Sequence, residues 1–178
     1  MKMVILDRDG VINYDSKQFI KSPAEWRPIP GSLEALAKLT EAGYRVVVAT
    51  NQSGLGRGLF DMDTLNAIHD KMHRAVQKTG GRIDAIFYCP HPVDAGCSCR
   101  KPKTGMFERI ASCFNISLKG RFAVGDSLRD LQAAAAVGAI PLLVLTGKGT
   151  ETRDAGDLPP ETLIFADLLA AVEHILQS

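Results

Sequence analysis

Residues 3–10 read MVILDRDG, a short apolar run followed by two carboxylates and a glycine. The run is too short for a helix but long enough for a buried strand, and Gly10 lets the chain turn directly after it. Ligands of parallel sheets bind beyond the carboxyl ends of the strands, which makes Asp7 and Asp9 candidate catalytic residues. A carboxylate can attack phosphorus, and a second one nearby can protonate the leaving group. A solvated turn is the alternative, because Asp and Gly are ordinary turn residues.

Further apolar runs alternate with helical patterns along the chain. The runs that predict strands occupy residues 45–49, 83–88, 121–125, 141–145 and 162–165, and a helical pattern follows each of them except 141–145. Another helix is predicted to begin at Ser32. Such alternation predicts an α/β fold with a doubly wound parallel sheet, formed by one domain over residues 1–178.

Loops rather than a separate cap domain are expected to cover the predicted site. Neither the interval between Asp9 and Thr50 nor that between Tyr88 and Gly105 is long enough for a cap. The covering loops would be residues 13–30, 53–60 and 89–99. The second contains Gly54, Gly56 and Gly58, which do not fit the dinucleotide-binding fingerprint because its last glycine would fall at Leu59. A flexible loop is predicted there instead.

The composition is that of an ordinary globular protein. Hydrophobic residues make up 46% of the chain and charged residues 23%. A net charge of +1 provides no field that would attract nucleic acid or an anionic membrane. No apolar run approaches membrane-spanning length, and no signal-peptide pattern is present. We therefore expect a cytoplasmic protein with no nucleic-acid or membrane partner. We also expect the protein to be a monomer.

Polar groups at three predicted strand ends suggest a magnesium site. Asp7, Thr50 and Asp126 should lie at the same edge of the sheet. The carboxylates of Asp7 and Asp126 are hard oxygen ligands that suit Mg²⁺. Asp130 lies four residues after Asp126, on the same face of a helix start. Lys101 and Thr50 would balance the remaining charge of a bound phosphate.

Residues 89–99 carry a second metal signal. Cys89, His91, Cys97 and Cys99 match the ligands of tetrahedral zinc. Four protein ligands leave no position for water, which predicts a structural zinc site; a chance cluster or a redox pair are the alternatives. Cys113 lies alone on an apolar helix and is predicted to be in the core.

A pair of histidines on the helix that is predicted to begin at Asp61 imitates a zinc-protease motif. His69 and His73 are four residues apart, but Asp70 replaces the general-base glutamate and no third ligand follows. A partly exposed helix face is predicted instead.

Taken together, these motifs resemble those of the haloacid dehalogenase superfamily of phosphohydrolases. Residues 7–10 match its first motif, Thr50-Asn51 its second, Lys101 its third, and Gly125-Asp126 with Asp130 its fourth. The resemblance implies that Asp7 is the nucleophile and Asp9 the general acid/base. It also implies that Mg²⁺ is held by Asp7, the main-chain carbonyl of Asp9 and Asp126, with Asp130 outside the ligand shell.

The zinc motif and residues 50–53 resemble the zinc-bearing branch of this superfamily, whose members dephosphorylate heptose bisphosphate or histidinol phosphate. Residues 52–54 and 57–60 favour the first substrate, a precursor in lipopolysaccharide synthesis, whereas the short zinc loop also occurs with the second. The loop 15–18 departs from the heptose pattern, and Ser127 stands where many members have lysine. Substrate contacts are predicted for Asn51, Gln52, Ser53, Arg100 and, in the early loop, for Asp15, Ser16, Lys17 and Gln18.

Two rival functions remain at the level of sequence. An uncapped site would also admit a polynucleotide end, as in a related family of phosphatases. A non-catalytic zinc module could bind nucleic acid through Arg100, Lys101 and Lys103. The charge balance and the aspartate cluster oppose the second rival, because carboxylates repel a phosphate backbone.

Overall fold

The computed structural model describes residues 1–178, and its centre is a six-stranded parallel sheet. The strands are ordered β3-β2-β1-β4-β5-β6, so the chain winds outward first on one side of β1 and then on the other. Their bounds are Met3–Leu6 for β1, Arg45–Asn51 for β2, Ala85–Cys89 for β3, Phe122–Gly125 for β4, Ile140–Val144 for β5 and Leu163–Phe165 for β6. The predicted doubly wound α/β fold is confirmed, with strand ends shifted by one or two residues.

Seven α-helices accompany the sheet. They are α1 (Ser32–Glu41), α2 (Ser53–Gly56), α3 (Met62–Lys78), α4 (Gly105–Phe114), α5 (Leu128–Ala136), α6 (Gly149–Ala155) and α7 (Leu168–Gln177). Asp61 begins α3 as predicted, since its side chain accepts a hydrogen bond from the main-chain N–H of Thr64 at 2.8 Å. No helix combines the length and the apolar character that crossing a bilayer requires.

The strand β1 is buried on both of its faces. Val4 and Leu6 belong to a cluster of 22 buried side chains shared with α1, α3 and α7. Met3 and Ile5 belong to a cluster of 11 on the opposite face, shared with α4 and α5. Because each such side chain contributes about 1.5–3 kcal/mol on burial, β1 is firmly held, and the residues that follow it have a rigid support.

Neither the connection from β1 to β2 nor the connection from β3 to β4 contains an inserted cap domain. Between β1 and β2 lie an irregular stretch, one 3-10 turn at Pro23–Glu25 and α1. Between β3 and β4 lie the cysteine-rich loop, with a 3-10 turn at Val93–Ala95, and α4.

Two elements differ from the sequence prediction. Residues 53–56, expected to lie in a flexible loop, form the short helix α2, whose Gly56 packs so closely on the carbonyl of Pro90 that a side chain would collide with it. The helix α6 was not predicted at all. Its seven residues are one glycine, one alanine and five polar or charged residues, so no apolar stripe marks the helix in the sequence.

The prediction for Cys113 was wrong, because this residue is exposed. The buried face of α4 is formed by Met106, Phe107 and Ile110, and Phe114 extends it. Cys113 is adjacent to Phe114 and therefore points about 100° away from it around the helix.

Candidate active site

Asp7 follows β1 at the point where the winding of the sheet changes direction. Its main-chain N–H donates to the carbonyl of Val124 at 2.9 Å, which extends the β1–β4 pairing to the catalytic candidate itself. Asp7 is 7% exposed, and its Oδ1 accepts the main-chain N–H of Arg8 at 2.8 Å. Burial and the charge of Asp130 raise the pKa of Asp7 well above its ordinary value, although Lys101 acts in the opposite direction.

Asp9 is held by three neighbouring side chains. Its Oδ1 accepts from Arg8 Nε and from Asn13 Nδ2, both at 2.9 Å, and its Oδ2 accepts from Gln52 Nε2 at 3.2 Å. Burial opposes ionisation, but the Arg8 guanidinium and these hydrogen bonds outweigh it and hold the pKa of Asp9 below its ordinary value. The carboxylate is thus fixed in direction as well as in charge.

Lys101 is a buried cation beneath Asp7. Its ammonium lies 3.1 Å from Asp7 Oδ1 and 2.7 Å from Asp130 Oδ1, and it donates to the carbonyl of Ala49 at 2.7 Å. Asn51 fixes the same residue from the other side, because its amide exchanges two hydrogen bonds with the main chain of Lys101, at 3.1 and 3.2 Å. The ammonium is therefore held next to the Asp7 carboxylate.

Asp126 follows β4 and completes a group of three carboxylates. Ligand oxygens of Asp7, Asp126 and Asp130 lie within 4.8 Å of one another. Burial and the charge of Asp130 raise the pKa of Asp126 to about 7. Hard, crowded oxygens of this kind suit a divalent cation, which would offset their mutual repulsion. The donor set therefore fits the predicted Mg²⁺.

Asp130 serves mainly as a support within that group. Its Oδ2 accepts the main-chain N–H groups of Asp126 and Ser127 at 3.2 and 3.1 Å, which caps α5, while its Oδ1 pairs with Lys101. These bonds favour the predicted place of Asp130 outside the ligand shell.

The carboxylate of Asp126 is enclosed by main chain on its other side. Gly10 and Gly147 both have positive φ, +81° and +56°, and a side-chain carbon at either position would collide with Asp126 Oδ2. The same oxygen accepts the main-chain N–H of Lys148 at 2.8 Å, and Thr152 of α6 donates to the Asp126 carbonyl at 2.8 Å. The unpredicted α6 thus helps to position this residue.

The three carboxylates of Asp7, Asp9 and Asp126 open onto a cavity of about 340 Å³. Seven other residues predicted for the site also line it: Asp15, Ser16, Lys17, Thr50, Asn51, Ser53 and Arg100. Gln52 lies behind the wall, bonded to Asp9 and to Thr50 Oγ1. Gln18 faces a neighbouring depression instead.

Three cationic residues of the cavity were missed in the sequence. Arg57 follows α2, Arg129 lies in the first turn of α5, and Lys148 precedes α6. Each has a sequence signal: Arg129 lies three residues after Asp126, and Arg57 and Lys148 each lie beside glycines that follow a strand. Burial and the like charges of Arg129 and Arg57 lower the pKa of the Arg100 guanidinium. These three guanidinium groups are therefore crowded at the rim of the cavity. Crowded guanidinium groups favour an anionic ligand.

The four predicted zinc ligands lie together beside the cavity. Cys89 Sγ is 3.7 Å from Cys97 Sγ, 2.8 Å from Cys99 Sγ and 3.5 Å from His91 Nδ1, and His91 Nδ1 is 3.2 Å from Cys99 Sγ. Ligand atoms of a tetrahedral zinc with bonds of about 2.0–2.3 Å would be separated by roughly 3.5–3.7 Å. All the cysteines are free thiols. This cluster can hold a structural zinc ion.

Replacing Cys97 or Cys99 by serine should remove zinc and loosen the loop while the core stays folded. The reason is that none of the four ligands belongs to either core cluster. Elemental analysis should find about one equivalent of zinc in the unaltered protein and far less in either variant. Cys113→Ser, which removes an exposed thiol elsewhere, should retain the metal; a zinc-free unaltered protein would contradict the four-ligand site.

Comparison with known proteins agrees with this geometry. A family model described as HAD-hydrolase-like matches residues 98–171. The D-glycero-β-D-manno-heptose-1,7-bisphosphate 7-phosphatase of Bordetella bronchiseptica is 60% identical over 177 residues, which are 99% of each chain. The enzyme of the same name from Pseudomonas putida is 53% identical and covers 99% of this chain and 100% of that protein.

The chain belongs to the haloacid dehalogenase (HAD) superfamily.

Two solved structures of this superfamily extend the likeness to three dimensions. The D,D-heptose 1,7-bisphosphate phosphatase of B. bronchiseptica, complexed with magnesium and phosphate, has a TM-score of 0.98 at 60% identity over 99% of both chains. The corresponding phosphatase from Burkholderia thailandensis has a TM-score of 0.82 at 54% identity over the full length of both. The predicted superfamily and fold are thereby confirmed.

Within this HAD fold, the four predicted motifs converge at the end of β1. Asp7, Thr50, Lys101 and Asp126 come from four separate segments of the chain, and all are at most 7% exposed. The structure therefore brings together a fixed carboxylate, a buried cation and a candidate metal site.

Proposed function

We propose that this protein is a Mg²⁺-dependent phosphomonoesterase that removes the 7-phosphate of D-glycero-β-D-manno-heptose 1,7-bisphosphate and leaves heptose 1-phosphate. One observation carries the proposal: a single cavity has the carboxylates of Asp7 and Asp9 in its floor and the guanidinium groups of Arg57, Arg100 and Arg129 at its rim. Such a cavity suits a ligand with a phosphate at each end. The β anomer is taken from the names of the relatives.

The first step would transfer the phosphoryl group to Asp7. A carboxylate oxygen of Asp7 attacks phosphorus, and the bond between phosphorus and the C7 oxygen breaks. Asp9, in its protonated form, gives its proton to the departing oxygen, so that the sugar leaves as an alcohol. The negative phosphate close to Asp9 favours that protonated form while substrate is bound. Lys101 and Thr50 would stabilise the charge that develops on the phosphoryl oxygens.

The second step would regenerate Asp7. Asp9, now a carboxylate, takes a proton from a water molecule, whose oxygen attacks the phosphorus of the phosphoaspartate. The bond between phosphorus and the Asp7 oxygen breaks, phosphate leaves, and both carboxyl groups return to their starting states. Arg8, Asn13 and Gln52 together hold Asp9 in one orientation for both roles.

Two metals would support these residues. Asp7, the main-chain carbonyl of Asp9 and Asp126 would hold Mg²⁺, which when bound supplies the positive charge that lets an anionic nucleophile approach an anionic phosphate. Cys89, His91, Cys97 and Cys99 would hold zinc and thereby fix the loop that precedes Arg100 and Lys101. Because the three cysteine ligands must stay reduced, the zinc site supports action in the cytoplasm. We also propose a single chain as the working unit and no nucleic-acid partner.

The choice of the C7 phosphate follows from shape. This phosphate is on a primary carbon at the end of a flexible arm, whereas the C1 phosphate is attached directly to the ring. The slimmer group reaches the buried Asp7 more easily, and the ring stays near the rim. Arg100, together with Arg57 and Arg129, would then hold the C1 phosphate, with Asp15 and Lys17 beside the ring.

Arg100→Ala should raise KM more than it lowers kcat. A contact to the distal phosphate is present equally in the bound substrate and in the transition state, so its loss weakens binding without slowing the chemical step. The expected rise in KM is about tenfold or more, as for the loss of a charge-assisted hydrogen bond of about 1.5–3 kcal/mol. Steady-state kinetics of phosphate release measure it, and a selective fall in kcat would contradict the distal role.

A panel of phosphate esters tests the proposed function. It contains heptose 1,7-bisphosphate, histidinol phosphate, fructose 1,6-bisphosphate and a 3′-phosphorylated oligonucleotide. Histidinol phosphate carries one phosphate and would leave the three rim arginines without an anion. We expect the highest kcat/KM with the heptose bisphosphate, dependent on Mg²⁺. Activity confined to histidinol phosphate or to the oligonucleotide would replace the proposed substrate, and no phosphate release at all would refute the enzyme.

A further inference from the structure

A chain of buried hydrogen bonds leads from α3 to the proposed general acid/base. His69 Nε2 lies 3.0 Å from Nη1 of Arg8, and Arg8 Nε donates to Asp9 Oδ1 at 2.9 Å. Arg8 is fully buried, and His69 is 8% exposed. The sequence prediction of a partly exposed helix face was therefore wrong for His69, because this side chain turns inward beside Ile68 and Met72.

The hydrogen bond between His69 and Arg8 can run in only one direction, from Arg8 as donor to His69 as acceptor. A guanidinium has five donors and no acceptor, so Nε2 of His69 must accept the hydrogen bond. Burial and the charge of Arg8 lower the pKa of His69 to about 3. The imidazole is therefore neutral, carries its proton on Nδ1 and provides the acceptor that Arg8 requires.

This acceptor determines how Arg8 is oriented. Of its nitrogens, Nε faces Asp9 and Nη1 faces His69, while Nη2 is buried without a hydrogen-bond partner. His69 is thus the side chain that holds the outer end of the guanidinium. Without it, Arg8 would have one directional contact, to Asp9, and could rotate about it.

Asp9 depends on that orientation for its own position. Arg8 supplies one of the two donors to Oδ1, the other being Asn13. A shift of about 1 Å in a catalytic group can cost about a hundredfold in rate.

We propose that His69 is a positioning residue for catalysis, which holds Arg8 so that Asp9 is aimed at the leaving oxygen of the substrate. This inference rests on the proposed role of Asp9 as general acid. It concerns the geometry of the carboxyl group, since a neutral His69 adds no charge to it.

The test uses two substrates that differ in their need for an acid. The C7 alkoxide of heptose 1,7-bisphosphate is a strongly basic leaving group that must be protonated, whereas p-nitrophenolate leaves without a proton. The quantity kcat/KM covers the steps up to release of the leaving group, so the second step does not enter it. A misplaced Asp9 should therefore lower kcat/KM for the sugar phosphate and spare p-nitrophenyl phosphate.

The variants separate positioning from folding. His69→Leu removes the acceptor, and His69→Gln places an amide oxygen near the former Nε2. We expect His69→Leu to lower kcat/KM for the sugar phosphate by about ten- to a hundredfold and for the aryl phosphate by less than about threefold. His69→Gln should recover most of the loss. His73→Leu, one turn along the same helix, should change neither value.

A third substitution at His69 keeps the test decisive if His69→Leu does not fold. His69→Asn is polar, but its shorter amide ends where Nδ1 was and does not reach Arg8, so it should behave like His69→Leu. Equal losses with both substrates, or a Gln variant no better than the Asn variant, would overturn the inference.

Asp9→Asn distinguishes that failure from a failure of the proposed function. If Asp9→Asn lowers the sugar phosphate activity selectively and the His69 variants do not, only the positioning role is refuted. If Asp9→Asn itself affects both substrates alike, the proposed role of Asp9 fails, and the inference fails with it.

Discussion

Replacing Asp7 by asparagine should abolish turnover and leave the fold intact. An amide is a poor nucleophile and a weaker ligand of Mg²⁺ than a carboxylate. Loss of a covalent nucleophile can cost about 10⁶-fold in kcat. Because asparagine has the same shape, and because the four residues of β1 stay buried, the thermal stability should change little. Phosphate release and circular dichroism measure the two effects.

The same variant identifies the phosphorylated residue. Acid quenching of the unaltered enzyme during turnover of substrate with a labelled C7 phosphate should trap the label on the peptide that contains Asp7, and Asp7→Asn should trap none. Asp154→Asn, an exposed carboxylate outside the cavity, serves as the matched control and should behave like the unaltered protein. Turnover by Asp7→Asn at an unaltered rate would refute the mechanism.

The second large effect is expected for Lys101→Met, which should lose both activity and stability. Removing the ammonium leaves Asp7 and Asp130 buried without their common cation. Breaking one side of a buried ion pair typically costs about 3–5 kcal/mol. The loss of phosphoryl stabilisation should in addition lower kcat by about a hundredfold or more, as for other charge-stabilising donors.

The stability loss in Lys101→Met should depend on pH in a definite direction. Although burial raises the pKa of Asp130, Lys101 more than compensates and lowers it in the unaltered protein. Without Lys101, the folded-state pKa values of both carboxyl groups should lie above their unfolded values. Such groups favour the folded state at low pH and lose that contribution as the pH rises through the folded-state pKa.

Urea unfolding of metal-free protein at pH 5 and pH 8 measures this dependence. The difference in free energy of unfolding between Lys101→Met and the unaltered protein should be small at pH 5 and should grow by pH 8. Lys103→Met removes an exposed cation two residues away and should show no such trend. A deficit that is the same at both pH values would contradict the pairing.

Much of the site could be predicted because it lies where strands end. The run 3–6 marks β1 by its apolar residues alone, and the polar residues that follow β1, β2 and β4 must meet at one edge of a parallel sheet. Asp7, Asp9, Thr50 and Asp126 were found in this way. The zinc ligands were predictable for another reason, since their residue types and close spacing need little knowledge of the fold.

The remaining parts depend on contacts that no local pattern reveals. His69 lies 61 residues from Arg8 in the sequence, and only the packing of α3 against the irregular stretch after β1 brings them together. Arg57, Arg129 and Lys148 come from three separate segments, so only the folded chain brings them to one cavity. The helix α6 has no apolar stripe, and its role in holding Asp126 follows from hydrogen bonds rather than from burial.

The proposed function requires that the C7 phosphate is the one removed. Phosphorus NMR of heptose 1,7-bisphosphate during turnover tests it most directly, because the two phosphate signals differ in shift and in coupling. We expect the C7 signal to disappear as inorganic phosphate forms, while the anomeric C1 signal remains. Loss of the anomeric signal with survival of the C7 signal would contradict it.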